Sequence, residues 1–201
     1  MSTSQDFSLI KQVVDKYFDF MEEIVGNQFI TELIPPVMIN PNRKADDESS
    51  YWNPIPSTVT DAEIGELETV FGHKLPDSFK FFLRQRHFIE LQIGGDNISF
   101  FSNLPRALAS NFKETIDEQF GNLLERNYLP FAYVADVGVL CFDANKKSDT
   151  YDYPVAMFNH EDGYNKKHFY THNFLEMFNE FNSHLDEWIN NNRIISKNTS
   201  S

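Results

Sequence analysis

Residues 52–83 constrain the fold more than any other part of this chain, because they carry start and stop signals for two consecutive helices. Thr60 is a good N-cap, and Glu63 three residues later completes a capping box. Apolar residues then recur at helical spacing up to Gly72, which suits the left-handed conformation that commonly ends a helix. Pro76 fits the first turn of a second helix, where its missing N–H would have no partner anyway. The segment therefore predicts a helix, a glycine stop and a second helix.

The second half of the chain predicts a run of strands closed by a helix. A hairpin should form around residues 94–97, and a helix should follow over residues 106–126. Asn173 and Glu176 form the capping box of the final helix. Four strand candidates precede that helix, at residues 128–134, 138–142, 154–159 and 168–171. This order predicts an α+β fold with an antiparallel or mixed central sheet and flanking helices.

The first fifty residues are predicted to differ from the rest of the chain. Residues 6–25 have the pattern of an amphipathic helix that Gly26 ends, and such an apolar stripe needs a surface to cover. Residues 35–56 contain five prolines and a polar run, so we expect a long loop there. We accordingly divide the chain into an N-terminal helix and loop (1–50), an α+β domain (51–192) and a disordered tail (193–201).

The order of these signals resembles that of the SUKH superfamily over about residues 52–182. The superfamily's first helices are matched by Ile64, Leu67-Glu68, Gly72, Leu75-Pro76, Ser78-Phe79 and Phe82-Leu83. Its central strands and closing helix are matched by Leu129-Pro130-Phe131-Ala132, Gly138, Leu140-Cys141-Phe142-Asp143, Pro154-Val155, Phe158, His160-Glu161, Phe174 and Phe178. That superfamily contains fungal cell-wall-assembly regulators and bacterial immunity proteins that neutralise toxins. The resemblance implies an α+β domain that binds other proteins.

Charge and hydropathy limit the partners that this chain can have. Its 201 residues carry a formal net charge of −13, which argues against nucleic acid, because phosphates are bound by clustered Lys and Arg. The negative charge can simply keep the protein soluble, or it can speed the capture of a basic partner. No apolar run is long enough for a membrane helix, and the first residues lack a secretory signal. We therefore expect a cytoplasmic protein without membrane contact.

Acidic residues and tyrosines cluster in the connections between the predicted strands, where loops usually carry binding function. We select nine of them as candidate partner-binding residues: Asp136, Asp143, Asp149, Tyr151, Asp152, Tyr153, Glu161, Asp162 and Tyr164. Turns also favour Asp for purely conformational reasons, so the pattern by itself leaves both interpretations open. The family resemblance favours binding.

The sequence lacks the common catalytic motifs, including a nucleophile elbow, a phosphate loop, a dinucleotide fingerprint and a paired-cysteine metal site. Three histidines, His160, His168 and His172, lie near Glu161 and Asp162 and could in principle ligate a metal. In a strand, however, His168 and His172 share a face while His160 belongs to a different strand, and nothing supplies a third ligand. We therefore expect neither a catalytic site nor a metal or other cofactor.

The expected function is that of a non-enzymatic protein that binds another protein. The leading hypothesis is an immunity protein that sequesters a basic toxin domain, for example a nuclease. The alternative is an intracellular regulatory scaffold of the cell-wall-regulator type, which would bind its partners through the first helix or the segment 35–56. A monomer is favoured, although the sequence leaves the oligomeric state open.

Overall fold

The computed structural model describes residues 6–24, 26–44, 48–93, 98–146 and 152–199. Its α-helices are α1 (Ser8–Ile24), α2 (Asp61–Phe71), α3 (Asp77–Leu83), α4 (Leu108–Thr115), α5 (Gly121–Leu124) and α6 (Phe174–Thr199). Its strands are β1 (Asn27–Ile30), β2 (Ile39–Lys44), β3 (Ser49–Trp52), β4 (Ile55–Pro56), β5 (Arg86–His87), β6 (Gln92–Ile93), β7 (Ile98–Phe100), β8 (Tyr128–Val134), β9 (Gly138–Asp143), β10 (Val155–Asn159) and β11 (Lys167–Thr171).

Six strands form the main sheet, in the order β11-β10-β9-β8-β7-β6. Every neighbouring pair in it is antiparallel. Strands β8 to β11 agree with the four predicted strands to within one residue at each end. The predicted hairpin is present as the β6–β7 pair, in which Gln92 lies opposite Ser99, and its turn at residues 94–97 is outside the described residues. The α+β prediction is confirmed.

The two predicted helices of the 52–83 segment also form. The side chain of Thr60 accepts a hydrogen bond from the Glu63 N–H at 3.2 Å, and the Glu63 carboxylate accepts from the Thr60 N–H at 2.8 Å. Gly72 ends α2 in the left-handed conformation, with φ of 67°. Pro76 lies directly before the first residue of α3. This segment places α3, and with it Phe79, on the main sheet.

The core is built around the ring of Phe79, which is completely buried. Its ring centroid lies 5.1 Å from that of Phe142 on β9, 5.7 Å from that of Phe131 on β8 and 5.2 Å from that of Phe174 on α6. Helices α3 and α6 therefore cover one face of the main sheet together. Aromatic rings stabilise such a core through both the area they bury and their edge-to-face contacts.

The N-terminal helix belongs to the same core. Ile10 and Val13 on α1 are completely buried, and Phe20 packs edge-on against Trp188 of α6 with ring centroids 5.0 Å apart. The apolar stripe predicted from the sequence thus covers the domain that follows it. The division of the chain into separate regions at residue 50 remains a prediction.

The prediction of a long loop at residues 35–56 is wrong for the part that the structure describes. Strands β2 and β3 form there, and with β1 they make a small antiparallel sheet in the order β1-β3-β2. Prolines are compatible with this arrangement because Pro36 opens a 3₁₀ turn (Pro36–Met38) and Pro41 lies on an edge strand, where a missing N–H costs little. Trp52 ties the small sheet to the core, since its ring packs 6.2 Å from that of Phe18.

Two helical regions also differ from their predictions. The helix expected over residues 106–126 is divided, because a π-helical turn (Ile116–Phe120) separates α4 from α5. The tail expected from residue 193 instead continues α6 as far as Thr199. Asn173 and Glu176 cap α6 as predicted, with the Glu176 N–H donating to Asn173 Oδ1 at 2.8 Å.

A buried histidine joins the small β4–β5 ladder to the end of α3. His87 is completely buried, and its Nε2 accepts a hydrogen bond from the Thr58 N–H at 2.9 Å. Its Nδ1 donates to the carbonyl oxygen of Asn103 at 3.1 Å. The amide of Asn103 in turn donates to the carbonyls of Leu83 and Arg86 at 2.7 and 2.8 Å. This arrangement requires a neutral imidazole, because Nε2 must be an acceptor.

The free energy of unfolding should therefore fall as the pH drops below about 6.5. Burial lowers the pKa of His87 in the folded protein from its ordinary value of 6.5, so the unfolded chain binds more protons in this range. Urea titrations between pH 7.5 and 5.5, with an NMR titration of the His87 ring, measure both quantities. A folded-state His87 that takes up its proton at or above pH 6.5 would contradict this prediction.

Candidate protein-interaction surface

The seven predicted binding residues that the structure describes lie at opposite ends of the main sheet. Strand β9 runs from one end to the other over six residues, or about 17 Å. The β8–β9 turn and the β10–β11 connection meet at the end where β9 begins, and the β9–β10 connection lies at the end where β9 finishes. At the first end are Asp136, Glu161, Asp162 and Tyr164, which we call the acidic sheet end. At the second are Asp143, Asp152 and Tyr153, whereas Asp149 and Tyr151 lie outside the described residues.

Main-chain hydrogen bonds hold the two connections of the acidic sheet end together. The N–H of His160 donates to the carbonyl of Val137 at 2.9 Å, directly beside the pairing of Asn159 with Gly138. No Cβ would fit at Gly138, because it would lie 1.9 Å from the carbonyl oxygen of Phe158. A glycine at this position therefore permits the close approach that brings Asp136 and Glu161 to the same end of the sheet.

Tyr164 is held in a conformation that is rare for a bulky residue. Its φ is 61°, in the left-handed region, directly after Gly163 with φ of 64°. The guanidinium of Arg126 donates to the Tyr164 carbonyl at 2.8 Å, and the Tyr164 N–H donates to the carbonyl of Asn159 at 3.0 Å. The ring packs edge-on against Phe120 of the π turn at 5.5 Å. Strained backbone and π turns both occur preferentially at functional sites, so this tyrosine is a strong candidate for a partner contact.

Three carboxylates lie in the same two connections as this tyrosine without forming ion pairs inside the described part of the chain. Asp136 and Glu161 are exposed, and Asp162 is half-buried. None of the three takes part in an ion pair with another described residue. Asp162 also has a local role, because its Oδ1 accepts from the Asn165 N–H at 3.0 Å. The acidic sheet end therefore presents carboxylates that form no ion pair with the described residues, although the Arg126 guanidinium lies nearby and binds the Tyr164 carbonyl.

The second end has a different character. The carboxylate of Asp143 is buried and accepts a hydrogen bond from Lys167 Nζ at 3.0 Å, which raises the pKa of Lys167. Tyr153 is only 5% exposed. Burial, and then the nearby charge of Asp77, raise the pKa of the half-buried Asp152. Because Asp143 is buried and already paired with Lys167, and Tyr153 is buried as well, we leave both residues out of the proposed surface.

Beside the acidic sheet end lies a polar cleft that the sequence analysis missed. It has a volume of about 340 Å³ and is lined by α1, β1 and the strands β6, β7 and β8. Gln92, Ser99 and Tyr133 lie opposite one another in register and form one row across the three strands. Ala135, which also lines the cleft, is the residue before Asp136. A signal was present in the sequence, since Glu90 and Gln92 interrupt an apolar run at alternate positions, as side chains on one face of a strand do.

The cleft contains the exposed carboxylate of Glu90 and the buried phenol of Tyr17. Burial raises the pKa of Glu90, and it raises the pKa of Tyr17 to about 12, with the Glu90 charge contributing to the latter. The Tyr17 hydroxyl accepts a hydrogen bond from the Gln92 N–H at 3.4 Å. Burial likewise raises the pKa of Tyr133, whose hydroxyl is hydrogen-bonded to Gln119 and Thr115. All these shifts favour the protonated form, and none of the residues that line the cleft is basic.

The three histidines of the sequence analysis do not come together. His160 is exposed in a 3₁₀ turn, His168 is exposed on the edge strand β11, and His172 lies beyond the end of that strand. Among the residues that the structure describes, no three or more His, Cys, Asp or Glu side chains form a group that could hold a metal ion. In the same part of the chain, every helix is too short or too polar to span a lipid bilayer.

Comparison with known protein families shows that the sequence matches one of them. The model of the SMI1/KNR4 family (SUKH-1) matches residues 58–191, about two thirds of the chain. The match begins just before α2 and continues into α6, so it includes the whole main sheet and the acidic sheet end. No curated protein matches the chain.

Proposed function

The chain belongs to the SMI1/KNR4 family (SUKH-1), and from that premise we propose that it is a non-catalytic protein that binds a basic protein partner. The family includes immunity proteins and cell-wall regulators. We assign this chain to the first group, as an immunity protein that sequesters a toxin domain. The observation that carries the proposal is the acidic sheet end, where three carboxylates that form no ion pair with the described residues lie in the same connections as Tyr164, whose backbone is in the left-handed region.

The proposed mechanism is occlusion of the toxin's functional surface. The net charge of −13 attracts a basic domain over long distances, and such steering raises association rates in a way that salt suppresses. At contact, the carboxylates of Asp136 and Glu161 pair with Lys or Arg of the partner. Tyr164 supplies a rigid apolar ring with a polar tip, which is the kind of side chain enriched among interface hot spots. No covalent step is required.

Changing the charge of the acidic sheet end should slow association by about tenfold and flatten its salt dependence. The test variant combines Asp136→Asn, Glu161→Lys and Asp162→Asn. Asn tolerates the left-handed backbone at position 136 and keeps an acceptor for the Asn165 N–H at position 162. Stopped-flow mixing with the basic toxin domain encoded beside the gene, at several salt concentrations, gives the rates.

The matched control changes net charge by the same amount on other elements. It combines Glu66→Lys on α2 with Glu125→Gln after α5 and Glu180→Gln on α6, all at exposed positions. Because both triple variants alter total charge equally, only a local contact makes the first slower than the second. Equal slowing by the two variants would mean that the contact surface lies elsewhere.

A second candidate function, the regulatory scaffold, has one observation in its favour. Four of the five exposed large apolar side chains among the described residues lie in a single stretch of ten: Ile30, Leu33, Val37 and Ile39. Apolar side chains that cluster on a surface often mark an interaction site. The double variant Leu33→Ser and Val37→Ser tests this role. Loss of endogenous partners with retained toxin binding would favour a scaffold function in addition to immunity.

A further inference from the structure

We infer that the polar cleft beside the acidic sheet end is a receptor for one guanidinium group, supplied by an arginine of the partner. The inference rests on the proposed function for the source of the arginine, but the cleft itself is defined by Glu90, Gln28, Gln92, Ser99, Tyr17 and Tyr133. The proposed ligand is one guanidinium, a planar cation at the end of a flexible arginine side chain.

Glu90 is the counter-ion in this assignment. Its carboxylate forms no ion pair or hydrogen bond with any other described residue, and partial burial is the sole cause of its raised pKa. The Glu90 side chain is exposed, so solvent reaches its carboxylate in the unbound protein. A guanidinium that enters the cleft supplies the positive charge that this carboxylate lacks among the described residues.

The other polar groups favour guanidinium over ammonium. Gln28 donates its amide nitrogen to Ser49 Oγ at 2.6 Å, which leaves its amide oxygen as an acceptor. The hydroxyls of Ser99 and Tyr17 add further acceptor oxygens, so the acceptors come from β1, β7 and α1. A guanidinium has five N–H donors in one plane and can satisfy a carboxylate and several neutral oxygens at once, whereas an ammonium is a compact point charge.

The charge of the lining residues and the position of the cleft also suit a guanidinium from a partner. None of the residues that line it is basic, so no cation of its lining competes for Glu90. Arg43 packs beside Gly26 at one wall, but its guanidinium lies over the ring of Tyr51 at 5.4 Å. Ala135 connects the cleft to Asp136, so an arginine bound there would come from a partner seated on the acidic sheet end.

The experiment uses small probes and the full chain, so it does not require the toxin. ¹⁵N NMR titrations compare N-acetyl-arginine amide with the citrulline and lysine analogues. Citrulline keeps the shape of arginine without the charge, and lysine keeps the charge without the planar fork. We expect saturable shifts of the Gln28, Gln92, Ser99 and Ala135 amides with arginine, at least about tenfold weaker binding of lysine, and no binding of citrulline.

The variant Glu90→Gln should weaken arginine binding by at least about tenfold, whereas the matched variant Glu66→Gln on α2 should leave it unchanged. Absence of saturable shifts, equal binding of lysine or citrulline, or full binding by Glu90→Gln would each overturn the inference. A failure here is distinguishable from a failure of the proposed function. Toxin binding that depends on Asp136 and Glu161 but not on Glu90 would refute the cleft alone, and arginine binding without any toxin complex would refute the function alone.

Discussion

Deleting residues 1–50 should produce a chain that does not fold. Eight apolar side chains of this segment are no more than 5% exposed: Ile10, Val13, Val14, Tyr17, Phe18, Phe20, Ile34 and Met38. At about 1.5–3 kcal/mol for each buried side chain, their loss equals or exceeds the ~5–15 kcal/mol by which a domain is normally stable. Circular dichroism and an NMR spectrum of the truncated chain should show the loss of cooperative unfolding and of dispersed signals.

The control for this deletion changes the same segment without touching its buried side chains. Leu33 and Val37 are 57% and 68% exposed, so the double variant Leu33→Ser and Val37→Ser should unfold cooperatively with nearly unchanged stability. For the same reason, a scaffold role of this segment has to be tested by substitutions and not by truncation. A truncated chain that unfolds cooperatively would contradict the account of a single core and support a separate domain after residue 50.

Phe79→Ala should lower the free energy of unfolding by about 3–5 kcal/mol, the range observed when a large aromatic side chain is removed from a core. Phe79 is completely buried and touches the rings of five other phenylalanines: Phe82, Phe112, Phe131, Phe142 and Phe174. These rings come from α3, α4, β8, β9 and α6, so no single element can move in to fill the cavity.

The matched control is Phe169→Ala on the edge strand β11, where the same chemical change removes a ring that is 62% exposed. Its effect should be within about 0.5 kcal/mol, because exposed substitutions rarely exceed that value. Urea denaturation gives both numbers. A Phe79→Ala variant as stable as Phe169→Ala would show that the ring cluster does not hold the core together.

Much of the fold follows from local signals in the sequence. The capping box at Thr60, the glycine at position 72 and the apolar runs of β8 to β10 each depend on neighbours a few residues away, and each is present in the structure. Local signals do not predict the small sheet, because prolines are typical of loops, although edge strands accept them. The π turn was missed because its apolar positions fit an ordinary helix equally well.

The site was harder to predict, because sequence spacing does not state which end of a sheet a connection occupies. In an antiparallel run such as β8 to β11, successive connections alternate between the two ends. Asp136 and Glu161 therefore lie at the same end of the sheet, although 24 residues separate them, whereas Asp143 lies at the far end. Its burial against Lys167 depends on a long-range contact that no local pattern signals. The cleft around Glu90 joins elements that are far apart in the chain and was missed for that reason.

The most direct test of the central claim is a hydrogen-exchange footprint of the protein in complex with the toxin domain encoded beside its gene. The proposal predicts slower amide exchange in the bound state at residues 134–138 and 159–165, which form the acidic sheet end. It predicts unchanged exchange at residues 143–146 and 152–155, at the opposite end of the main sheet. Protection confined to the opposite end or to residues 30–39, or the absence of a complex with any neighbouring toxin, would contradict it.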